Sequence, residues 1–276
     1  MIKLFITDLD GTFLPPGALK LDDKVIAVLE KLNKKRIIFV VATGRALSTV
    51  PNVIRKNPFL SYIICSNGAK IFIAGDEKLI YKGTIAKSAV ASVLSILRNP
   101  NIEIEVFVDD IPYVSKEFYY NNALFGRSER FLSYFKETRK PIDNIFDLVE
   151  KSENNIENIN LIFDNDKLKS ETLKELLKIA NKKNEFEVSQ SLNFNLEIGG
   201  KNVNKGEALK FVCKKENIDL KEVIASGDNI NDLEMLEIAG ISIAIENSPI
   251  IREVNSDYIV PEPEENGVIN LLDKLL

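Results

Sequence analysis

Histidine is absent from this chain. Its absence removes every mechanism that pairs a serine or cysteine with an imidazole base, and every histidine-ligated zinc site. Any catalysis is left to carboxylates, lysine, hydroxyls and backbone groups, with or without a hard metal ion. Cysteine is scarce: only Cys65 and Cys213 occur, far apart and in no CxxC pair. Cys65 lies in an apolar, strand-like run and Cys213 in a helix-like one. Both are expected as buried free thiols in a reducing compartment, since an isolated thiol more often packs than reacts.

Long hydrophobic runs are also missing. The longest, Ile37 to Ala42, is far too short to span a bilayer. Met1-Ile2-Lys3-Leu4-Phe5 enters a strand directly, without the charged, apolar and cleavage regions of a signal peptide. The expected location is the cytoplasm, with no membrane partner. Positive charge is not in excess: 36 basic and 41 acidic residues give a net charge of −5. That balance lacks the basic face a nucleic-acid partner requires, while leaving room for a local basic pocket that takes a small anion.

The 276 residues suit one large domain or two modest ones, at about 150 residues per domain. Hydrophobic residues (45%) and charged residues (28%) stand at ordinary proportions for a globular chain, so a full core needs no disulfide staples. The first third alternates strand and helix. Lys3 to Thr7 is a short apolar run; Leu21 to Lys34 carries apolar residues at helical spacing. Ile37 to Val41 reads as a strand buried on both faces, Ala46 to Arg55 as a helix, and Tyr62 to Cys65 as a third strand. This order implies a parallel sheet with right-handed crossovers. The pattern returns late in the chain, with helices at Lys205 to Glu216, Asp232 to Ala239 and Val268 to Leu275. Strands lie at Val223 to Ser226, Ile241 to Ile245 and Tyr258 to Val260. Between these halves lies an α+β stretch. Helices are expected at Lys87 to Leu97 and Ser170 to Asn181, and strands at Glu103 to Val108, Ile159 to Phe163, Phe186 to Ser189 and Phe194 to Ile198. The Asn- and Lys-rich segment Lys151 to Asn160 reads as a solvated loop or helix edge.

Four motifs carry chemistry. Asp8-Leu9-Asp10-Gly11-Thr12 follows the first strand, where ligands collect in parallel sheets. Two carboxylates at i and i+2 can both face that crevice, one to attack phosphorus and one to handle protons; an ordinary acidic turn has the same residues. Ala42-Thr43-Gly44-Arg45 follows the second buried strand and offers a hydroxyl and backbone N–H groups to an anion, or simply a helix cap. In Asn204-Lys205-Gly206 a lysine opens a helix against the dipole. That placement suits a phosphate oxygen, although a solvated, exposed lysine whose removal costs little stability is the plainer expectation. Gly227-Asp228-Asn229-Ile230-Asn231-Asp232 clusters oxygens at a strand end, as magnesium prefers; a capped polar turn reads the same way.

In this order the four motifs resemble those of the haloacid dehalogenase superfamily, and the position of the insert resembles its Cof-type branch. Ser66-Asn67-Gly68-Ala69 is similar to the segment leading into that branch's cap, Leu196-Glu197-Ile198 to the return, and Glu265-Asn266-Gly267-Val268 to the family's ending. The resemblance implies an α/β, Rossmann-like parallel-sheet core over residues 1–82 and 192–276. It implies an α+β cap domain over 83–191 that selects substrate. It implies that Asp8 attacks the phosphoryl group of a small phosphate ester and forms an aspartyl phosphate. Asp10 protonates the leaving alkoxide and then activates water. Mg2+ is held by the Asp8 side chain, the Asp10 backbone carbonyl and Asp228. The Leu9 amide, Thr43, Gly44, Lys205 and Asn231 hold the phosphate, and Asp232 stands behind them near Lys205 or the metal's waters.

The chain departs from the family at Ala244-Ile245-Glu246-Asn247-Ser248, where a small glycine-containing turn is expected and Glu246 adds a negative charge. Pro15-Pro16-Gly17 reads as a rigid turn. Phosphotransfer to a sugar shares the same motifs; a non-catalytic metabolite-binding regulator would be expected to have lost Asp8 or Asp10. A sugar phosphate is the first substrate expectation and rests on the family alone. Arg127, Arg130, Tyr113, Tyr119 and Tyr120 are the cap candidates to meet it. The expected oligomeric state is a monomer.

Overall fold

The computed structural model describes residues 1–15, 20–121, 129–152, 155–191 and 193–276, with no side chains given at 129–131. Pro16, Gly17 and Arg127 therefore lie outside the described residues, as does the side chain of Arg130. Two compact units emerge. One comprises Met1–Gly44, Val50–Lys82 and Asn204–Leu276; the other comprises Arg45–Thr49 and Gly83–Val203.

The first unit is built on an eight-stranded sheet. Its spatial order is Tyr258–Val260, Ile241–Ile245, Val223–Gly227, Leu4–Thr7, Ile38–Ala42, Leu60–Cys65, Lys70–Ile73 and Lys78–Lys82. The first six run parallel and the last two form an antiparallel extension. Central strands are apolar without alternation because both faces are covered; every residue of Leu4–Thr7 is buried. Phe5 and Phe39 stack with ring centroids 5.7 Å apart, and Phe13 packs beside them. Helix Asp23–Lys34 lays Val25, Val28, Leu29 and Leu32 inward. It starts where Asp22 accepts from the Val25 N–H at 2.8 Å, and lysines in its last turn complement the dipole.

The second unit contains a six-stranded sheet in the order Phe186–Ser189, Asn195–Gly200, Ile156–Ile162, Glu103–Val108, Ile111–Ser115 and Lys140–Ile142. Helices Lys87–Leu97 and Asp166–Lys183 contribute to a core with Val93, Val106, Ile159, Leu176 and Ile198. Strand Asn195–Gly200 lies with this unit, paired to Ile156–Ile162.

The structure corrects two expectations and adds two strands. Ala46 to Arg55 is not one helix: a 3-10 turn at Leu47–Thr49 gives way to a short helix, Asn52–Arg55, after Pro51. Proline has no N–H to donate back and fits at a helix start, not inside one. The loop or helix edge expected over Lys151 to Asn160 holds at Lys151, which ends a helix and is exposed, and fails from Ile156 on, because Ile156–Ile162 is an interior strand with Glu157 and Asn158 buried. Asn160 is answered across the sheet: its amide donates to Glu105 at 3.0 Å, and Asn195 donates to it at 3.0 Å. Strands Ile111–Ser115 and Lys140–Ile142 also join the sheet. The second is a three-residue edge strand containing Pro141, which only an edge tolerates.

Glu105 and Arg139 form a buried ion pair, 1% and 12% exposed. Burial alone would discourage the charge on Arg139, but Glu105 outweighs it and holds the guanidinium charged. Removing one partner strands the other in a low-dielectric interior. Arg139→Ala is expected to lower unfolding free energy by about 3–5 kcal/mol, measured by urea denaturation. A loss within the surface range of about 0–1 kcal/mol would contradict the pair's burial.

Candidate active site

Strand Leu4–Thr7 delivers Asp8 at its carboxyl end, beside the end of Val223–Gly227. The Asp8 N–H donates to Ser226 O at 2.9 Å. The Thr7 hydroxyl donates to Asp8 O at 2.8 Å and accepts from the Ser226 hydroxyl at 2.7 Å. The chain then reverses, with Leu14 N–H donating to Leu9 O at 2.9 Å. Leu9 itself is buried in the core, so only its backbone can face a ligand. Asp10 is exposed at the turn. Gly11 takes φ +88°, and a Cβ there would stand 3.0 Å from Asp228 Oδ2; both facts call for glycine.

Lys205 is the first residue of helix Lys205–Glu216, which Asn204 caps by accepting from the Glu207 N–H at 2.8 Å. Its ammonium donates to Asp8 Oδ1 at 2.6 Å and to Asp232 Oδ1 at 2.6 Å. The expected exposed lysine is in fact 0% exposed. Its two carboxylate partners make burial possible, and both lie far from it in sequence. The other oxygen of Asp232 accepts from the backbone N–H groups of Asp228 and Asn229, each at 3.0 Å. Asp232 therefore fixes the lysine on one side and the Asp228 loop on the other. Thr12, which the sequence did not single out, donates its hydroxyl to Asp228 Oδ1 at 2.7 Å.

Carboxylate oxygens of Asp8, Asp228 and Asp232 lie within 4.8 Å of one another. Burial raises the Asp8 pKa well above its ordinary value; Lys205 opposes this, while Asp232, Asp228 and Asp10 add to it. Burial, then Asp232, push Asp228 up to about 7, against the Thr12 hydrogen bond. Lys205 keeps its proton: burial disfavours the ammonium, but Asp232 and Asp8 more than compensate. With all three acids ionised, one ammonium faces three carboxylates. That deficit, with donors that are all oxygen, fits a hard divalent cation.

The phosphate-binding candidates lie in the same unit. Thr43 is buried, its N–H donating to Ile64 O at 2.9 Å. Asn231 is buried, its amide donating to Asn67 Oδ1 at 3.0 Å. A Cβ on Gly44 would lie 3.1 Å from that same Asn67 oxygen. Asn67 is thus a second residue the sequence reading missed as part of the site; its only signal was the Ser66-Asn67-Gly68-Ala69 turn. Glu246 continues the sheet, its N–H donating to Val260 O at 2.8 Å.

The sequence model of the haloacid dehalogenase-like hydrolases matches residues 5–272. The chain belongs to that family. Among curated relatives of this hydrolase, phosphatase YwpJ of Bacillus subtilis (strain 168) is 29% identical, with 100% of both chains covered. The 5-amino-6-(5-phospho-D-ribitylamino)uracil phosphatase YbjI of Escherichia coli (strain K12) is 27% identical, covering 100% of this chain and 96% of that one. A solved haloacid dehalogenase-like hydrolase from B. subtilis superposes with a TM-score of 0.83 at 26% identity, over 100% of both chains. The parallel-sheet fold expected from the sequence is therefore the fold of this hydrolase. Among the described residues, no helix is long and apolar enough to cross a membrane.

Replacing Lys205 by methionine keeps the volume and removes the charge. The variant is expected to lose about 3–5 kcal/mol of stability at pH 8, as for any broken buried pair. The deficit should shrink toward pH 5. Asp8 has a raised pKa in the folded state, so its ionisation costs stability as pH rises, and protonation relieves that cost. Urea unfolding at both pH values measures it; an equal loss at both would rule out carboxylate repulsion as the cause.

Proposed function

We propose that this hydrolase is a magnesium-dependent phosphatase acting on a small phosphorylated metabolite. The observation that carries the reading is the Asp8 carboxylate, held through Oδ1 by the buried Lys205 and grouped with Asp228 at the strand ends. In this reading the second oxygen of Asp8 attacks phosphorus and the P–O bond to the leaving alkoxide breaks. Asp10 gives that alkoxide its proton. Asp10 then takes a proton from water as the water attacks the aspartyl phosphate, which frees inorganic phosphate and regenerates Asp8. The exposure of Asp10 supports a role in meeting both substrate and water.

The transferring group spreads its charge over equatorial oxygens, so positioning and positive charge do most of the catalysis. Lys205, the Thr43 hydroxyl, the Leu9 and Gly44 amides and the Asn231 amide would hold those oxygens. Asp232 would keep Lys205 aimed. Magnesium, held by the Asp8 side chain, the Asp10 backbone carbonyl and Asp228, would supply the positive charge that lets an anionic nucleophile meet an anionic phosphoryl group.

The unit built mainly from residues 83–191 is read as the cap that selects the leaving group. A phosphorylated sugar or sugar alcohol is the favoured substrate class. Three relatives, 26–28% identical, are named as phosphatases of a phosphoribitylamino-uracil, which supports an ester on a polyol chain. The chain is read as a monomer and the substrate as a cytoplasmic metabolite.

Phosphate release from a panel of sugar, sugar-alcohol and nucleotide monophosphates is expected with Mg2+ and lost with chelator. Asp8→Asn should abolish it, because an amide is not a nucleophile toward phosphorus. Retained turnover in that variant would remove Asp8 from its role. If the phosphoryl group instead reaches a sugar without inorganic phosphate accumulating, the enzyme is a phosphotransferase.

Metal linkage gives a further expectation. The Asp228 pKa rises from 3.8 to about 7, so without metal the protein loses stability as pH climbs through that window. The rise in Tm caused by Mg2+ is expected to be larger at pH 8 than at pH 6. A gain that is equal at both, or larger at pH 6, would take Asp228 out of the metal site.

A further inference from the structure

The turn between strands Leu60–Cys65 and Lys70–Ile73 is unusual in its backbone. Ser66, Asn67 and Gly68 have φ of 49°, 54° and 101° in succession. Two of the three carry a Cβ, for which this region is costly. The turn is also buried, with Ser66 1% and Asn67 6% exposed, where hairpin tips usually meet solvent. Strain held inside a structure needs contacts that over-determine it.

Those contacts lead to the phosphate-binding candidates. The Asn67 N–H donates to Thr43 O at 3.1 Å. The Asn67 side-chain oxygen accepts from the Asn231 amide at 3.0 Å. Gly68 lies so close to Asn204 that a Cβ would stand 2.3 Å from its carbonyl oxygen, and Asn204 caps the helix that begins with Lys205. One turn therefore touches all three segments. Asn231 Oδ1 is buried without a partner, and the pairing with Asn67 uses one of the two amide hydrogens. An amide held this way presents its second N–H, and its unmatched carbonyl, in a fixed direction.

We propose that Asn67 is a positioning residue for phosphoryl binding: it orients the Asn231 carboxamide and steadies the Thr43–Gly44 loop. The inference rests on the phosphatase reading above. Asn67 acts through Asn231 and the loop, and the left-handed turn is what aims its side chain at them.

The test is Asn67→Gly, which keeps the left-handed backbone and the N–H to Thr43 while deleting the carboxamide. Because glycine relieves the backbone strain, Tm is expected to hold within a few degrees. Activity on the best ester of the panel is expected to fall about tenfold in kcat/KM, equivalent to about 1.4 kcal/mol, the scale of one hydrogen bond. The inhibition constant for inorganic phosphate should rise by a similar factor. In an Asn231→Ala background the same change should cost less than twofold, since no amide remains to be aimed. Asn67→Ala removes the same group with a less favourable backbone and should lose the same factor in activity despite a lower Tm. Full activity and phosphate affinity in Asn67→Gly would overturn the proposal. So would an equal loss in both backgrounds, or losses that follow Tm across the two variants. A wild-type protein that releases no phosphate from any ester would instead defeat the phosphatase reading, and this inference with it.

Discussion

The site depends on one buried ammonium. Lys205, fully removed from solvent, bridges Asp8 and Asp232 with two contacts of 2.6 Å. Burying such a charge costs several kcal/mol, and only well-placed opposite charges offset it. The strand Leu4–Thr7, the loop after Val223–Gly227 and the helix Lys205–Glu216 must therefore meet at one point. Small residues allow that meeting. A Cβ on Gly227 would lie 2.5 Å from the Asp232 Cβ, and one on Gly206 2.8 Å from the Glu234 Cβ. Glycine at these places is a condition of the ion-pair geometry, so the charge network and the backbone packing constrain each other.

The same network leaves negative charge in excess. Three carboxylates and one ammonium in a confined space raise the pKa of Asp8 and Asp228. A group of acids crowded beyond its counter-charge is destabilising unless something positive completes it. Structure and proposed function thus share one cause: the charge imbalance of these side chains is what would draw a divalent cation and aim Asp8 at a phosphoryl group.

Much of this was legible in the residues. Continuous apolar runs such as Ile37 to Val41 marked parallel strands because burial on both faces leaves no alternation. Asp8, Asp10, Asp228 and Lys205 stood out through position relative to those strands and through the resemblance they complete. What could not be read was set by distant partners. Lys205 looked solvated because its carboxylates lie 197 and 27 residues away. Asn160 looked like a loop residue because the side chains that answer it, Glu105 and Asn195, sit on other strands. Asn67 stood out only as part of the Ser66-Asn67-Gly68-Ala69 segment, because its contact with Asn231 lies 164 positions on. Short edge strands such as Lys140–Ile142 carry too few residues to show a period.

The central claim is that Asp8 becomes covalently phosphorylated during turnover. The most direct measurement is rapid acid quenching of the protein in mid-reaction, followed by mass spectrometry of the peptide that carries Asp8. The account predicts a transient phosphoryl group on that residue, appearing before steady-state release of phosphate. Rapid phosphate release with no phosphoryl group ever found on that peptide would contradict it and point to direct attack by water.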